Sequence, residues 1–100
     1  MRAITIETVE NFTRGTAFRK ANTRVTIDQV YAVVYLHGNA IARRNLKTGV
    51  LEVTSAGWET ATTKERLNGI PGVHVAQHNH VWYLNGTEWT NSSVWTPVTL

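Results

Sequence analysis

Apolar and polar residues alternate with a period of two along most of this chain, a pattern that restricts it to half-buried strands. Ile4 and Ile6 alternate with Thr5 and Glu7, and Val25 and Ile27 with Arg24, Thr26 and Asp28. Leu51 and Val53 alternate with Val50, Glu52 and Thr54, and Val73 and Val75 with His74 and Ala76. Tyr31–Leu36 is apolar on both faces, which suits a central strand. Turn residues punctuate these runs at hairpin spacing. Gly38-Asn39 is expected to separate Tyr31–His37 from Ala40–Asn45, and Leu46–Gly49 to lead into Val50–Ser55. Asn79 divides Val73–Gln77 from Val81–Leu84. Asn85-Gly86 is the strongest hairpin signal, because both residues tolerate the positive φ of a type I′ turn.

One segment breaks the pattern. Gly57 to Gly72 carries helix start and stop signals, with Thr62 and Glu65 at capping-box spacing. Gly69 is expected to end this helix in a left-handed conformation, and Pro71 forbids its continuation. Such a cap contributes about 1 kcal/mol. Phe12–Asn22 lacks a clear period and reads as a basic loop, with a weaker helix near Ala17–Ala21 as the alternative. The N-terminal Met1–Glu7 reads as a strand. Asn91–Val98, with Val94 and Trp95, reads as an edge strand or a tie-down across the core. The expectation is one α+β domain over residues 1–100, a mostly antiparallel meander with one short helix.

Composition removes several classes. Hydrophobic residues make up 42% and charged residues 17% of the chain, which argues against disorder. There is no cysteine, so neither a disulfide scaffold nor a thiolate metal site is available. No apolar run reaches the length of a membrane span, and the N-terminus does not resemble a signal peptide.

Enzyme signatures are missing. There is no Gly-x-Ser-x-Gly elbow and no glycine-rich phosphate loop. His74, His78 and His80 could in principle offer imidazoles to zinc, but His78 and His80 flank a turn and no carboxylate is near in sequence. They read as exposed hairpin histidines. His78-Asn79-His80 shares letters with the HNH nucleases, yet lacks the helix that completes that metal site. The expectation is no cofactor, no metal and no catalytic residue.

The charge distribution points elsewhere. The net charge is +3, and all ten Lys and Arg lie between Arg2 and Arg66. Arg14, Arg19, Lys20, Arg24, Arg43, Arg44 and Lys47 face one acid, Asp28, between residues 11 and 49. Phe12 and Phe18 interleave with the first of these cations. Such a mixture can neutralise phosphates and stack on unpaired bases. The bland alternative is a solvated loop with strand-edge cations that deter aggregation. The start of the short helix, with Thr62, Thr63 and Lys64, is a secondary anion-site candidate, although self-capping uses some of the same donors. Four tryptophans, Trp58, Trp82, Trp89 and Trp95, are read as mainly structural.

Three segments together resemble a family of small bacteriophage proteins. They are Leu36–Ala42 (LHGNAIA), Gly57–Gly69 (GWETATTKERLNG) and Trp82–Trp89 (WYLNGTEW). The resemblance covers about half the chain, leaves out the first third and supplies no catalytic residues. It implies a small domain made in the cytoplasm of the infected host bacterium. The functional expectation is a non-enzymatic accessory protein of the host-takeover or anti-defence type. It would bind nucleic acid or an acidic host protein through its basic face; a minor virion role is a further alternative. The helix should bury Leu67 and Ile70 against the sheet. Replacing Leu67 with Ala should then cost about 2–5 kcal/mol in denaturant unfolding, and a near-neutral result would remove the helix from the core.

Overall fold

A computed structural model describes residues 1–98. Two helices, α1 (Ala3–Arg14) and α2 (Ala61–Asn68), accompany nine strands. The strands are β1 (Phe18–Lys20), β2 (Thr23–Ile27), β3 (Tyr31–Leu36), β4 (Asn39–Asn45), β5 (Leu51–Val53), β6 (Val75–His78), β7 (Val81–Leu84), β8 (Thr87–Glu88) and β9 (Thr96–Val98). They form a six-stranded sheet, β1-β2-β3-β4-β5-β9, and a three-stranded sheet, β6-β7-β8, both antiparallel throughout. The protein is α+β and mostly a sheet meander. β3 lies inside the large sheet, as its two-sided apolar pattern requires.

The turns follow from φ. His37-Gly38 and Asn85-Gly86 each place two successive residues at positive φ, 51° and 80° in the first and 50° and 84° in the second. The first turn therefore lies one residue earlier than expected, and Asn39 pairs with Leu36 as the first residue of β4. A bulge opposite Val34 and Tyr35 lets consecutive Ile41 and Ala42 both face the core. The tail is an edge strand, β9, paired with β5.

One core joins all the layers. Val25, Val34, Leu36, Ile41 and Val53 from the large sheet meet Phe12 of α1, Leu67 of α2, and Trp82 and Leu84 of the small sheet. Trp82 and Trp89 pack with ring centroids 6.3 Å apart. Leu67 and Ile70 are both buried. Each such side chain contributes about 1.5–3 kcal/mol of burial.

The N-terminus is a helix and not a strand. It buries Thr5, Thr8 and Phe12, at helical spacing, and leaves Ile6 largely exposed, so the Ile-Thr-Ile alternation misleads. The Thr8 hydroxyl donates to the Ile4 carbonyl at 2.6 Å, which lets this polar face pack. Residues 12–22 form neither a loop nor a second helix. They comprise the end of α1, a left-handed cap at Gly15 and the edge strand β1. The N-cap of α2 is Thr60, whose hydroxyl accepts from the Thr63 amide at 3.2 Å; Thr62 is already helical. Glu65 turns away from any capping box, because Thr5 and the Arg2 amide of α1 engage its carboxylate.

Gly69 is also required for a different reason than expected. Its φ is −74°, an ordinary right-handed value. A Cβ there would lie 2.6 Å from Thr5 Cγ2 and 3.0 Å from Val9 Cγ2, so the glycine is the gap through which α1 passes. Gly69→Ala should destabilise by about 1–3 kcal/mol by overpacking. Pairing it with Val9→Ala should recover part of the loss in a denaturant titration. Additive losses would break the link between these two positions.

Candidate nucleic-acid interface

The large sheet has two unlike faces. Its inner face meets the helices and the small sheet. Strand alternation and register place Arg19, Arg24 and Tyr35 side by side on the outer face. One pleat along, Thr26, Val33, Arg43, Glu52 and Pro97 form a second row, and Tyr31 lies beyond. On this face cations lie over aromatic rings. The Arg24 guanidinium sits 4.5 Å from the Tyr35 ring centroid. The Arg43 guanidinium lies 4.9 Å from Tyr31 and 4.3 Å from Trp95, while its Nε donates to Glu52 at 2.8 Å.

The seven expected binding cations do not form one patch. Arg44 follows Arg43 in β4 and therefore points to the opposite face. There it donates to the Phe12 carbonyl at 2.7 Å and stacks on the Phe12 ring at 4.7 Å, closing the C-terminal end of α1. A cation at a helix C-terminus is favourable for both hydrogen bonding and the helix dipole. Lys20 pairs with Glu7 of α1 at 2.9 Å. Arg14 ends α1, and Lys47 sits in the turn between β4 and β5. Both are exposed, and Lys47 follows the end of β4 that pairs with Tyr31, away from Tyr35. The outer face thus brings together Arg19, Arg24 and Arg43, and the sheet separates them from Arg44 and Lys20.

Two of the three secondary anion candidates, Thr63 and Lys64, have internal partners, whereas Thr62 lines a surface cleft. Thr63 is buried, with its amide and hydroxyl both against the Thr60 hydroxyl. Lys64 donates to Gln77 at 2.9 Å. His74, His78 and His80 are exposed on or beside the β6–β7 hairpin. Among the described residues no three His, Asp or Glu side chains converge as metal ligands.

Two depressions flank the β3–β4 turn. The first, about 230 Å³, includes Arg19, Arg24, Tyr35 and His37 in its lining. The second, about 410 Å³, is more apolar and is walled by Leu36, His37, Ile41, Ser55, Trp58 and Thr62. His37 borders both. The Trp58 side of the second cleft was not legible in sequence, because nothing distinguished this tryptophan from the buried pair. Trp58 is in fact 60% exposed, following a turn with positive φ at Ala56 and Gly57. The aromatic rings of the outer face were also missed. Their signal was the odd-numbered set Tyr31, Val33 and Tyr35, which a period of two places opposite the core.

Beneath the first depression lies a buried charged cluster. The Arg66 side chain is only 1% exposed. It donates to Thr23 at 3.1 Å, Thr5 at 2.9 Å and Glu65 at 2.5 Å, and reaches Asn22 at 3.5 Å. Among the described residues no buried side-chain nitrogen or oxygen lacks a partner. Burial pushes the Glu65 carboxyl up, but the Thr5 hydroxyl, the Arg2 amide and the Arg66 charge outweigh it and hold the group below its ordinary value of 4.5. Asp28 is lowered too, by the Tyr31 and Val30 amides that donate to its carboxylate.

The chain belongs to the Kyanoviridae Gp96 protein family, a phage family whose model matches residues 1–97. The match takes in the first third of the chain, beyond the segments that carried the resemblance. No curated protein and no solved structure matches it. Among the described residues no helix is long and apolar enough to cross a membrane.

A folded value below the unfolded one means that the unfolded chain binds more protons between the two. The stability supplied by Glu65 and Asp28 is therefore complete above the ordinary carboxylate range and is lost as pH falls through their folded values. Thermal melts from pH 7 down to pH 3 should show a falling midpoint. Glu65→Gln should lower the midpoint at pH 7 and flatten this acid limb. An unchanged limb would show that Glu65 carries no such charge-dependent stability.

Proposed function

We propose that this phage-family protein is a non-enzymatic accessory protein that binds nucleic acid in the host bacterial cytoplasm, using the outer face of its large sheet. The observation that carries the reading is the interleaving of Arg24 and Arg43 with Tyr35, Tyr31 and Trp95 on that face. Guanidinium groups neutralise phosphates, and aromatic faces accept stacked bases at about 1–3 kcal/mol per base regardless of sequence. Arg19 and Arg24 form no ion pair among the described residues, so their charge is available to a phosphate. The sheet supplies fixed spacing, with Tyr35 and Tyr31 two pleats apart on one face of β3 and the Arg43 row between them.

A second reading rests on Glu52. It lies within the same face and holds Arg43, so the face carries mixed charge and not an uninterrupted basic stripe. Mixed charge around aromatic anchors also suits a host protein surface.

Binding of a labelled single-stranded oligonucleotide, followed across a salt series, separates the two. Two or three phosphate contacts predict a log–log slope of about −1.4 to −2.1. The Arg19→Ala, Arg24→Ala double variant should flatten the slope by about 1.4. Binding that ignores salt, or an absence of binding, would overturn the nucleic-acid reading. Recovery of one stoichiometric host protein from nuclease-treated lysate would then favour the alternative.

A further inference from the structure

We infer that the Trp58 cleft receives one unpaired base of a single strand whose phosphates lie on Arg19 and Arg24. The inference rests on the nucleic-acid reading and adds where strand selectivity would come from.

The cleft has the composition of a base pocket. Its volume of about 410 Å³ lies within the roughly 300–1,000 Å³ typical of small-ligand sites. Leu36, Ile41 and the exposed indole of Trp58 give it apolar walls, whereas His37, Asn39 and Thr62 bring hydrogen-bonding groups to its lining. A nucleobase needs this combination of flat apolar contact and a few edge partners. Trp58 is also the exposed tryptophan among the four. Trp82 and Trp89 are buried, and Trp95 lies beneath Arg43.

Continuity with the cationic depression names the occupant. His37 lines both cavities, so a ligand passing over the β3–β4 turn meets Arg19 and Arg24 on one side and the indole on the other. Among the described residues no Asp or Glu lines either cavity. An anionic backbone with a pendant aromatic group matches this layout, and a neutral apolar peptide leaves both arginines unused. A base stacked within a duplex cannot enter such a cleft without unpairing, so the geometry selects single strands.

The test compares a labelled thymidine oligonucleotide with an abasic strand of the same length. The native protein should bind the abasic strand roughly tenfold or more weakly. Trp58→Ala should weaken the thymidine strand by roughly ten- to a hundredfold, leave the abasic strand unchanged and keep the melting midpoint. Trp58→Phe should restore most of the affinity. Thr62→Tyr, which narrows the cleft from the helix side, should reproduce the base-dependent loss if Trp58→Ala proves poorly folded. The Arg19→Ala, Arg24→Ala variant should weaken both strands. Equal binding of the two strands by the native protein overturns both the pocket and stacking on the outer face, and leaves only phosphate contact standing. Unaltered binding of the thymidine strand by well-folded Trp58 and Thr62 variants overturns the base pocket and leaves the nucleic-acid reading standing. Failure of the native protein to bind either strand overturns both.

Discussion

Arg66 is a cation held where water barely reaches, and the parts of this molecule that are far apart in sequence meet on it. Its guanidinium touches Thr5 of α1, Thr23 at the start of β2 with Asn22 just before it, and Glu65 of its own helix. Removing a charge from water costs several kcal/mol, and that cost is offset only when each donor finds an acceptor. The cluster therefore works as a registration device. If α1 slides, Thr5 leaves both Glu65 and Arg66; if the β1–β2 turn shifts, Asn22 and Thr23 leave. Replacing the whole cluster by apolar side chains can be neutral in such cases, whereas deleting one partner costs about 3–5 kcal/mol. The approach of α1 at Gly69 belongs to the same contact, since Thr5 and Val9 meet the glycine from one side while Thr5 meets Arg66 from the other.

This cluster also explains which parts of the fold were legible in sequence. Strands β2 to β8 were readable because their alternation is local and their turns require residues such as Asn85-Gly86. The N-terminal helix was not, because its buried face is made of threonines. A threonine face makes sense only when its acceptors and donors are known, and Arg66 lies 61 residues from Thr5. The helix cap was misread by two residues for a related reason. Glu65 fits a capping box by spacing, yet α1 offers its carboxylate better partners. In each case a tertiary hydrogen bond outweighed a local preference.

The candidate interface was half legible. Charge counting found Arg19, Arg24 and Arg43. It could not sort them from Lys20 and Arg44, because sorting needs the sheet's two faces and the position of α1. Strand alternation alone separates Arg43 from Arg44, but only the packed helix shows that Arg44 is occupied with the carbonyls of Phe12 and Thr13. Trp58 gave no signal, since exposure depends on where the segment before α2 leaves the core.

The guanidinium groups lying over Tyr31, Tyr35 and Trp95 act as surrogate ligands that the protein carries with it. Bare rings on a flat sheet face would invite a second copy to adhere. Here each ring is screened by a charged side chain: Arg24 covers Tyr35, and Arg43, held by Glu52, covers Tyr31 and Trp95. On the proposed reading, occupancy of the face would be an exchange reaction: an incoming planar group would displace an arginine, and the displaced arginine would meet whatever charge that group brings. Such an exchange lowers the gain from stacking alone and rewards ligands that combine a flat ring with a negative charge.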